Sequence, residues 1–220
     1  MTTFFQFTID EDIRAVIENQ DTLVRAQDLA SVLIPLSDAF FKLQNDTATI
    51  ADAVSCWLAL MNNPEISSFY KDKIQMTFNE GVTPMAIAAY LLHPVYRGQN
   101  MLSELQEIGR MWLLDRNPMF VVGQAALERA DTTYFPSSFL NSVVAKQMAP
   151  AVWWENAGKW PAIPEGLMNL AISLMVLPAS TSTVDQCCNT IGNIMSTHKK
   201  KLGLDKALKL CNAYFSLRRK

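Results

Sequence analysis

The segment TPMAIAAYLLHP, residues 83–94, carries a helix signal at each end and an apolar run between them. Thr83 is a favoured N-cap residue, and Pro84 fits the first position of a helix, where its missing N–H costs no hydrogen bond. Pro94 closes the segment, because proline cannot continue a helix. The sequence therefore predicts a short buried helix here. Its apolar run is well short of the roughly 20 residues that a membrane-spanning helix needs, so no membrane span is expected.

Apolar spacing typical of helices continues on both sides of this segment. Residues 21–44 predict a long helix with Asp21 as its cap and a kink or break at Pro35, which lacks a backbone donor. One face of this helix is apolar, and it consists of Leu29, Val32, Leu33, Leu36, Phe40 and Leu43. Alternating strand patterns with Asn-Gly or Asp-Gly turns are absent from the sequence. The spacing therefore predicts a mainly α fold of about nine to eleven helices.

Three further expectations concern boundaries. Thr47 is the expected cap of the helix that follows, and residues 137–148 are expected to form one helix. Residues 150–164 hold three tryptophans and three prolines, so an irregular stretch is expected there, with large rings that must pack against other parts of the protein. Interruptions of the helical pattern near 131–150 divide the chain into two regions, residues 1–135 and residues 136–220.

Half of the 220 residues are hydrophobic and 18% are charged, which indicates one folded domain or two small ones. The net charge of −2 is unevenly distributed. Residues 1–195 hold 11 Lys and Arg against 20 Asp and Glu, a balance of −9, whereas residues 196–220 hold 8 against 1, a balance of +7. The basic end is either the solvated face of a last helix or a contact to phosphate or an acidic partner. The phosphate-contact candidates are Lys199, Lys200, Lys201, Arg218 and Arg219.

Cysteines, glycines and histidines give no support to a cofactor or metal site. None of the four cysteines forms a Cys-x-x-Cys pair, and no Gly-rich phosphate loop occurs. The two histidines, far apart in sequence, offer no catalytic arrangement with Ser or Cys. We therefore expect reduced thiols, no cofactor and no metal. Acidic residues at positions 10–12, in place of a basic n-region, argue against a signal peptide and favour an intracellular protein.

The C-terminal third carries a distinctive series of residues. Trp153-Trp154 is followed by Trp160-Pro161, and then by an apolar run that ends in Leu177-Pro178-Ala179-Ser180. Val184-Asp185-Gln186 comes next, and the basic run 199–202 follows it. This order resembles the C-terminal part of hAT-family DNA transposases, the region usually called the hAT dimerisation region. In that family, paired tryptophans, an aromatic-proline pair, a helix ending in proline and an acidic signature follow one another.

Weaker similarity to the same family extends upstream. Residues 33–57, with Pro35 and the run Ile50-Ala51-Asp52, resemble part of the family's helical insertion domain. Residues 88–97 resemble its alanine-tyrosine-leucine element, which an Asx-proline pair follows. The resemblance implies that residues 1–135 correspond to the insertion domain and residues 136–220 to the dimerisation region. The C-terminal helices would then belong to an incomplete RNase H-like fold.

The resemblance also bears on catalysis. Family members cut DNA with three acidic residues around two divalent metal ions, and such chemistry needs carboxylates from several elements. Asp185 stands where the family carries its third acid, as Glu, and Gln186 stands in place of an arginine. The first two acids come from strands upstream of the insertion domain, inside which we expect this chain to begin. The chain alone is therefore expected to be no enzyme. Asp185 would be a vestigial carboxylate near a helix N-terminus, favourable there by about 0.3–1 kcal/mol.

The family's C-terminal region supports oligomerisation, and large aromatic side chains favour the centres of interfaces. We therefore expect a dimerisation or interaction module derived from a hAT-type transposase, which forms a homodimer or binds a related transposase-derived protein. The interface candidates are Trp153, Trp154, Trp160, Leu167, Leu170 and Leu174. Two alternatives stay open: a weakly DNA-associated protein that uses the basic C-terminal helix, and the C-terminal part of an active transposase. Each of these functions is expected in the nucleus.

Overall fold

The structure is a computed structural model that describes residues 10–181 and, beyond them, eight single positions. These positions are Asp185, Cys188, Asn189, Gly192, Lys206, Lys209, Leu210 and Ala213. Over the described residues the chain forms eleven helices and no strand, apart from one isolated bridge between Thr49 and Pro178. The mainly α fold that the sequence predicts is therefore confirmed.

The helices follow one another with short connections. Their bounds are α1 Glu11–Glu18, α2 Gln20–Leu43, α3 Ile50–Asn62, α4 Ser68–Gly81, α5 Pro84–Leu92, α6 Ser103–Leu114, α7 Pro118–Glu128, α8 Ser137–Leu140, α9 Ser142–Gln147, α10 Pro150–Ala157 and α11 Leu167–Met175.

Helix α5 is the helix predicted from residues 83–94, and it lies at the centre of the fold. The Thr83 side chain accepts a hydrogen bond from the backbone N–H of Ala86, and all six residues from Ile87 to Leu92 are buried. Helix α6 packs closely on α5 because it presents Gly109 at the contact. A Cβ added to Gly109 would lie 2.7 Å from Cδ1 of Leu91 and 3.2 Å from the backbone nitrogen of Ala88.

Helix α2 differs from its prediction at its start and at Pro35. Asn19, not Asp21, is the N-cap, and its side chain accepts a 3.1 Å hydrogen bond from the backbone N–H of Thr22. Of the kink or break predicted at Pro35, the break does not occur, because α2 continues to Leu43. A proline inside a helix costs about 3 kcal/mol. Packing of Val32 and Ala39, on either side of the proline, against the cluster around Leu60 helps to offset that cost.

Helix α3 begins two residues later than predicted. Thr49 is its N-cap, in a reciprocal capping box with Asp52. Thr47 instead donates its hydroxyl and its backbone N–H to the side-chain oxygen of Asn45, in a turn that precedes the helix. Both threonines have a suitable side chain, but only Thr49 has a carboxylate three residues later, which the capping box requires.

Two expectations for residues 137–164 are corrected. The single helix expected at 137–148 is two helices, α8 and α9, because the chain is extended at Asn141, whose side chain caps α9 through the N–H of Val143. The stretch expected to be irregular begins with helix α10. Pro150 occupies the first turn of α10, where proline is tolerated. The proline content of this stretch therefore led to an irregular segment being expected where a helix begins.

One large buried cluster joins both regions of the chain. It contains Ala51 of α3 and Leu113 of α6 together with Trp153 and Trp154 of α10 and Leu174 of α11. The regions 1–135 and 136–220 thus share a core, and their division stays a prediction. A separate small cluster of Val32, Leu60 and Ile66 lies under α2 and fixes its C-terminal half to α3 and α4.

Candidate interaction surface

Asp185, at the position of the family's third acid, is exposed. Its backbone N–H donates to the carbonyl oxygen of Thr181 at 3.0 Å, and its carboxylate accepts a 3.5 Å hydrogen bond from the hydroxyl of Thr181. No group of three His, Cys, Asp or Glu side chains that could hold a metal ion occurs among the described residues. The phosphate-contact candidates Lys199, Lys200, Lys201, Arg218 and Arg219 lie outside the described residues.

Four of the six interface candidates are part of the protein's own core. Trp153, Trp154 and Leu167 have no exposed surface, and Leu174 is only 3% exposed. Leu170 is half-buried, and Trp160 is 47% exposed. An interface needs accessible surface, so of the six only Trp160 and Leu170 offer any to a partner. The four buried side chains instead hold α10 and α11 to the rest of the fold.

Hydrogen bonds explain why the tryptophan pair lies inside. The indole N–H of Trp154 donates to the carbonyl oxygen of Leu92 at 2.9 Å, and that of Trp153 donates to the carbonyl oxygen of Phe139 at 3.0 Å. The two indole rings meet edge to face, with centroids 5.3 Å apart, and both contact Phe135. Each buried donor is therefore satisfied, as a buried tryptophan requires.

Among the described residues, α2 carries more exposed large apolar side chains than any other helix. Eight of them are between 41% and 67% exposed, and seven of these, all except Val24, lie on one side of the helix. At 100° per residue they fall within about 160° of the helix circumference. We call this sector the α2 apolar face; its members are Leu23, Leu29, Leu33, Ile34, Leu36, Phe40 and Phe41.

The α2 apolar face carries no charged residue. Its other positions are small, namely Thr22, Ala26, Ala30 and Ser37. The charged residues of α2 lie at other angles around the helix, and they are Asp21, Arg25, Asp28, Asp38 and Lys42. Depletion of charge and small residues between large ones are typical of a helix face that packs against another helix.

An open groove runs along one side of this face, between α2 and α3. It has a volume of about 440 Å³, and its lining is almost entirely apolar. Its walls are formed by Leu33, Leu36, Ser37, Ala39, Phe40 and Leu43 of α2 and by Cys56, Trp57 and Leu60 of α3. The floor is rigid, because Leu60 is buried and the ring of Trp57 packs edge-on against Phe78 of α4 with centroids 6.4 Å apart.

The two halves of α2 differ in their surroundings. Every residue from 20 to 29 is exposed, whereas the second half packs on α3 and α4 through the buried Val32. The groove lies entirely beside the second half. The first half therefore extends past the body of the protein with Leu23 and Leu29 uncovered, 41% and 46% exposed.

A cluster of titratable side chains lies where α3 meets the end of α5. The hydroxyl of Tyr96 donates to the carboxylate of Asp52, and the ring of Tyr96 stacks on His93 with centroids 4.1 Å apart. Nδ1 of His93 accepts hydrogen bonds from the backbone N–H groups of Val95 and Tyr96 at 3.2 and 3.3 Å. These contacts join α3 to the turn after α5.

The electrostatics of this cluster fit a structural role. Burial lowers the pKa of His93 to about 4, although the carboxylate of Asp52 opposes the shift. Burial raises the pKa of Asp52, but hydrogen bonds from Tyr96 and Thr49 outweigh it and leave that pKa below its ordinary value. Near neutral pH the histidine is therefore neutral and the aspartate ionised. Both side chains are already hydrogen-bonded within the protein.

The sequence contained a signal for the α2 apolar face. Leu29, Leu33, Leu36, Phe40 and Leu43 follow a spacing of four, three, four and three residues, which is the spacing of a helix-pairing seam. The same spacing is found in helices buried in a core, and their exposure could not be inferred from it. The sequence therefore indicated four residues of this face, Leu29, Leu33, Leu36 and Phe40, but not Leu23, Ile34 and Phe41. It also did not indicate that the face is uncovered.

Comparison of the chain with models of protein families, with curated proteins and with solved structures found no match. The resemblance to hAT transposases therefore rests on the sequence motifs described above and has no support from these comparisons. Among the described residues, no helix is both long enough and apolar enough to span a membrane.

Proposed function

We propose that this protein is a self-associating interaction module derived from a hAT-type transposase and catalytically inactive on its own. The observation that carries the proposal is the uncovered α2 apolar face beside the α2–α3 groove. Contiguous apolar patches larger than a few hundred Å² mark interaction sites on soluble proteins. The seven side chains of the face expose on the order of 800 Å², which is what each partner buries in a standard interface.

The absence of catalysis is proposed from the arrangement of acids. Two-metal cleavage needs several converging carboxylates. Asp185 is exposed and hydrogen-bonded to Thr181, and no other acid joins it in a metal-binding group over the described part of the chain. The proposed partner is a second copy or a related transposase-derived protein, and the proposed location is the nucleus.

Light scattering coupled to gel filtration tests this function. At micromolar concentration the protein is expected to elute with the mass of two copies. A mass of one copy, 24.7 kDa, at all accessible concentrations would reject self-association. Because the proposed interface is apolar rather than charged, the dimer should persist when the salt concentration is raised.

The charge of residues 196–220 favours a second candidate function, weak association with DNA. Their balance of +7 includes Lys199, Lys200, Lys201, Arg218 and Arg219. Phosphate contacts of this kind release counterions, so binding should weaken steeply with salt. Fluorescence anisotropy with a labelled duplex at low salt tests this function, and no detectable binding there would eliminate it.

A further inference from the structure

We propose that the α2–α3 groove is occupied by residues 26–36 of α2 from a second copy of this chain, in an antiparallel, two-fold symmetric pair. The inference rests on the proposed self-association and names the surface and the geometry that produce it. In such an isologous pair, each copy supplies one groove and fills the other.

The lengths of the two parts match. At 1.5 Å per residue, the groove side from Leu33 to Leu43 spans about 15 Å, and so do residues 26–36 of the second copy, which begin in its uncovered half. Only an antiparallel arrangement places the uncovered half of one helix on the groove of the other. A parallel arrangement would bring groove against groove and leave Leu23 and Leu29 of each copy facing each other beyond the body.

The seam on α2 gives the register of the pair. Its apolar positions, three and four residues apart, are Ala26, Leu29, Leu33, Leu36, Phe40 and Leu43. An antiparallel pairing centred between Leu33 and Leu36 places each of these two residues against the other residue in the second copy. In the same register, Leu29 meets Phe40 of the second copy. Ala26, the smallest member, meets Leu43, which is already half-buried at the end of the groove.

The composition of the face agrees with close pairing. No charged residue shares the sector of Leu29, Leu33, Leu36 and Phe40, so the pairing of these four buries no charge. Small residues at Ala26, Ala30 and Ser37 allow the two helices to approach each other. Leu29, Leu33, Leu36 and Phe40, which this register pairs, are 42–61% exposed in a single copy, so the pairing removes apolar surface from water.

The chain's own C-terminal segment is a second possible occupant of the groove, because Ser180 lies beside Leu43, at the end of the groove. The hydroxyl of Ser180 donates to the carbonyl oxygen of Leu43 at 3.1 Å, and residues 182–220 follow. The experiment therefore has to distinguish a second copy from the chain's own C-terminal segment.

The test uses two full-length variants, Leu29→Lys and Phe40→Glu, and the control Met76→Glu in sedimentation velocity. Leu29 and Phe40 are 46% and 61% exposed in a single copy, so neither change disturbs the core, and helical circular dichroism should be unchanged. Met76, 63% exposed on α4, is a matched apolar position outside the face.

Each of the two face variants alone is expected to sediment as a single copy, with a dissociation constant raised at least about 100-fold, whereas Met76→Glu stays a dimer. An equimolar mixture of the two face variants is expected to recover the dimer. In the antiparallel register the heterodimer brings the introduced lysine against the introduced glutamate at one contact and keeps the native Leu29–Phe40 pair at the other. Each homodimer instead has two mismatched pairs.

Three results would overturn the inference. If the wild type is a dimer and both face variants remain dimers, the surface is wrong while the proposed self-association stands. If the variants are single copies but their mixture does not recover the dimer, the antiparallel register is wrong. If the wild type is a single copy whose α2 amides are strongly protected from hydrogen exchange, the chain itself covers α2, and the proposed self-association fails too.

Discussion

Replacing Trp154 by phenylalanine separates a core role of the tryptophan pair from an interface role. The indole N–H of Trp154 donates to the carbonyl oxygen of Leu92, in the last turn of α5, where carbonyls lack a donor from their own helix. Phenylalanine leaves this buried carbonyl unsatisfied, at a cost of about 1–3 kcal/mol. The smaller ring also leaves a cavity beside Phe135, which adds about 1 kcal/mol. The variant should therefore lose about 3 kcal/mol of unfolding free energy.

Urea unfolding followed by circular dichroism measures this loss. For a chain of this size the dependence on urea is roughly 2–3 kcal/mol per molar, so the midpoint should fall by about 1 M. All proteins are compared at one concentration, because self-association raises apparent stability. The matched control is Trp160→Phe, whose ring is 47% exposed and which should change stability by less than about 0.5 kcal/mol. Equal effects of the two changes, or a Trp154→Phe variant that dissociates without losing stability, would refute the core role.

Three further predictions concern the packing at Gly109, the buried His93 and the exposed Asp185. Gly109→Ala should lose about 1–3 kcal/mol in the same urea assay, because its Cβ meets the backbone of Ala88, whereas Gly81→Ala, with open space around it, should gain up to about 1 kcal/mol. The pKa of His93 falls from about 6.5 in the unfolded chain to about 4 in the folded protein, so its contribution is complete above pH 6.5 and is lost as the pH falls toward 4. Between pH 6.5 and 4 the wild type should therefore lose about 3 kcal/mol of unfolding free energy through His93. The variant His93→Asn, which keeps an acceptor for the N–H of Val95, should lose less over the same pH range. Identical pH profiles of wild type and variant would contradict this. A plasmid-nicking assay with Mg²⁺ should show no cleavage by the wild type or by Asp185→Asn, and nicking that depends on Asp185 would show that the chain is catalytic.

Local signals predicted the fold well where they are complete within a few residues. Thr83 and Pro84 define the start of α5 because a cap and a proline at the first position act through the nearest backbone groups. Asn19 and Thr49 were missed for a related reason. Each stands two residues from another acceptable cap. For Asn19 only the folded chain shows which side chain reaches the free N–H groups, whereas for Thr49 the carboxylate of Asp52, three residues later, was the available sequence signal.

Burial could not be predicted from the spacing of apolar residues. Periodicity shows which side chains share a face of a helix but not what covers that face. Trp153 and Trp154 were expected at an interface because of the family resemblance and the aromatic preference of interfaces, but they lie in the core. The spacing on α2 indicated no such role for its seam, although Phe40 is 61% exposed. What decides between these outcomes is the arrangement of distant helices, such as α5 beneath Trp154 and α3 beside Phe40.

Function had the weakest basis in the sequence. The resemblance to hAT transposases identified a region associated with oligomerisation, and self-association is still the proposed function. The surface proposed for it has moved from α10 and α11 to α2, because an interface requires apolar side chains that are accessible in one copy. The basic residues 199–201 lie outside the described residues, so their role is a question for DNA-binding measurements.

Sedimentation equilibrium of the wild-type protein, over concentrations from below 1 to about 50 µM, tests the central claim most directly. The α2 apolar face predicts a single species of twice 24.7 kDa at the upper concentrations, with dissociation to one copy only on dilution. A mass of 24.7 kDa throughout this range would contradict the claim that the uncovered face of α2 pairs with a second copy.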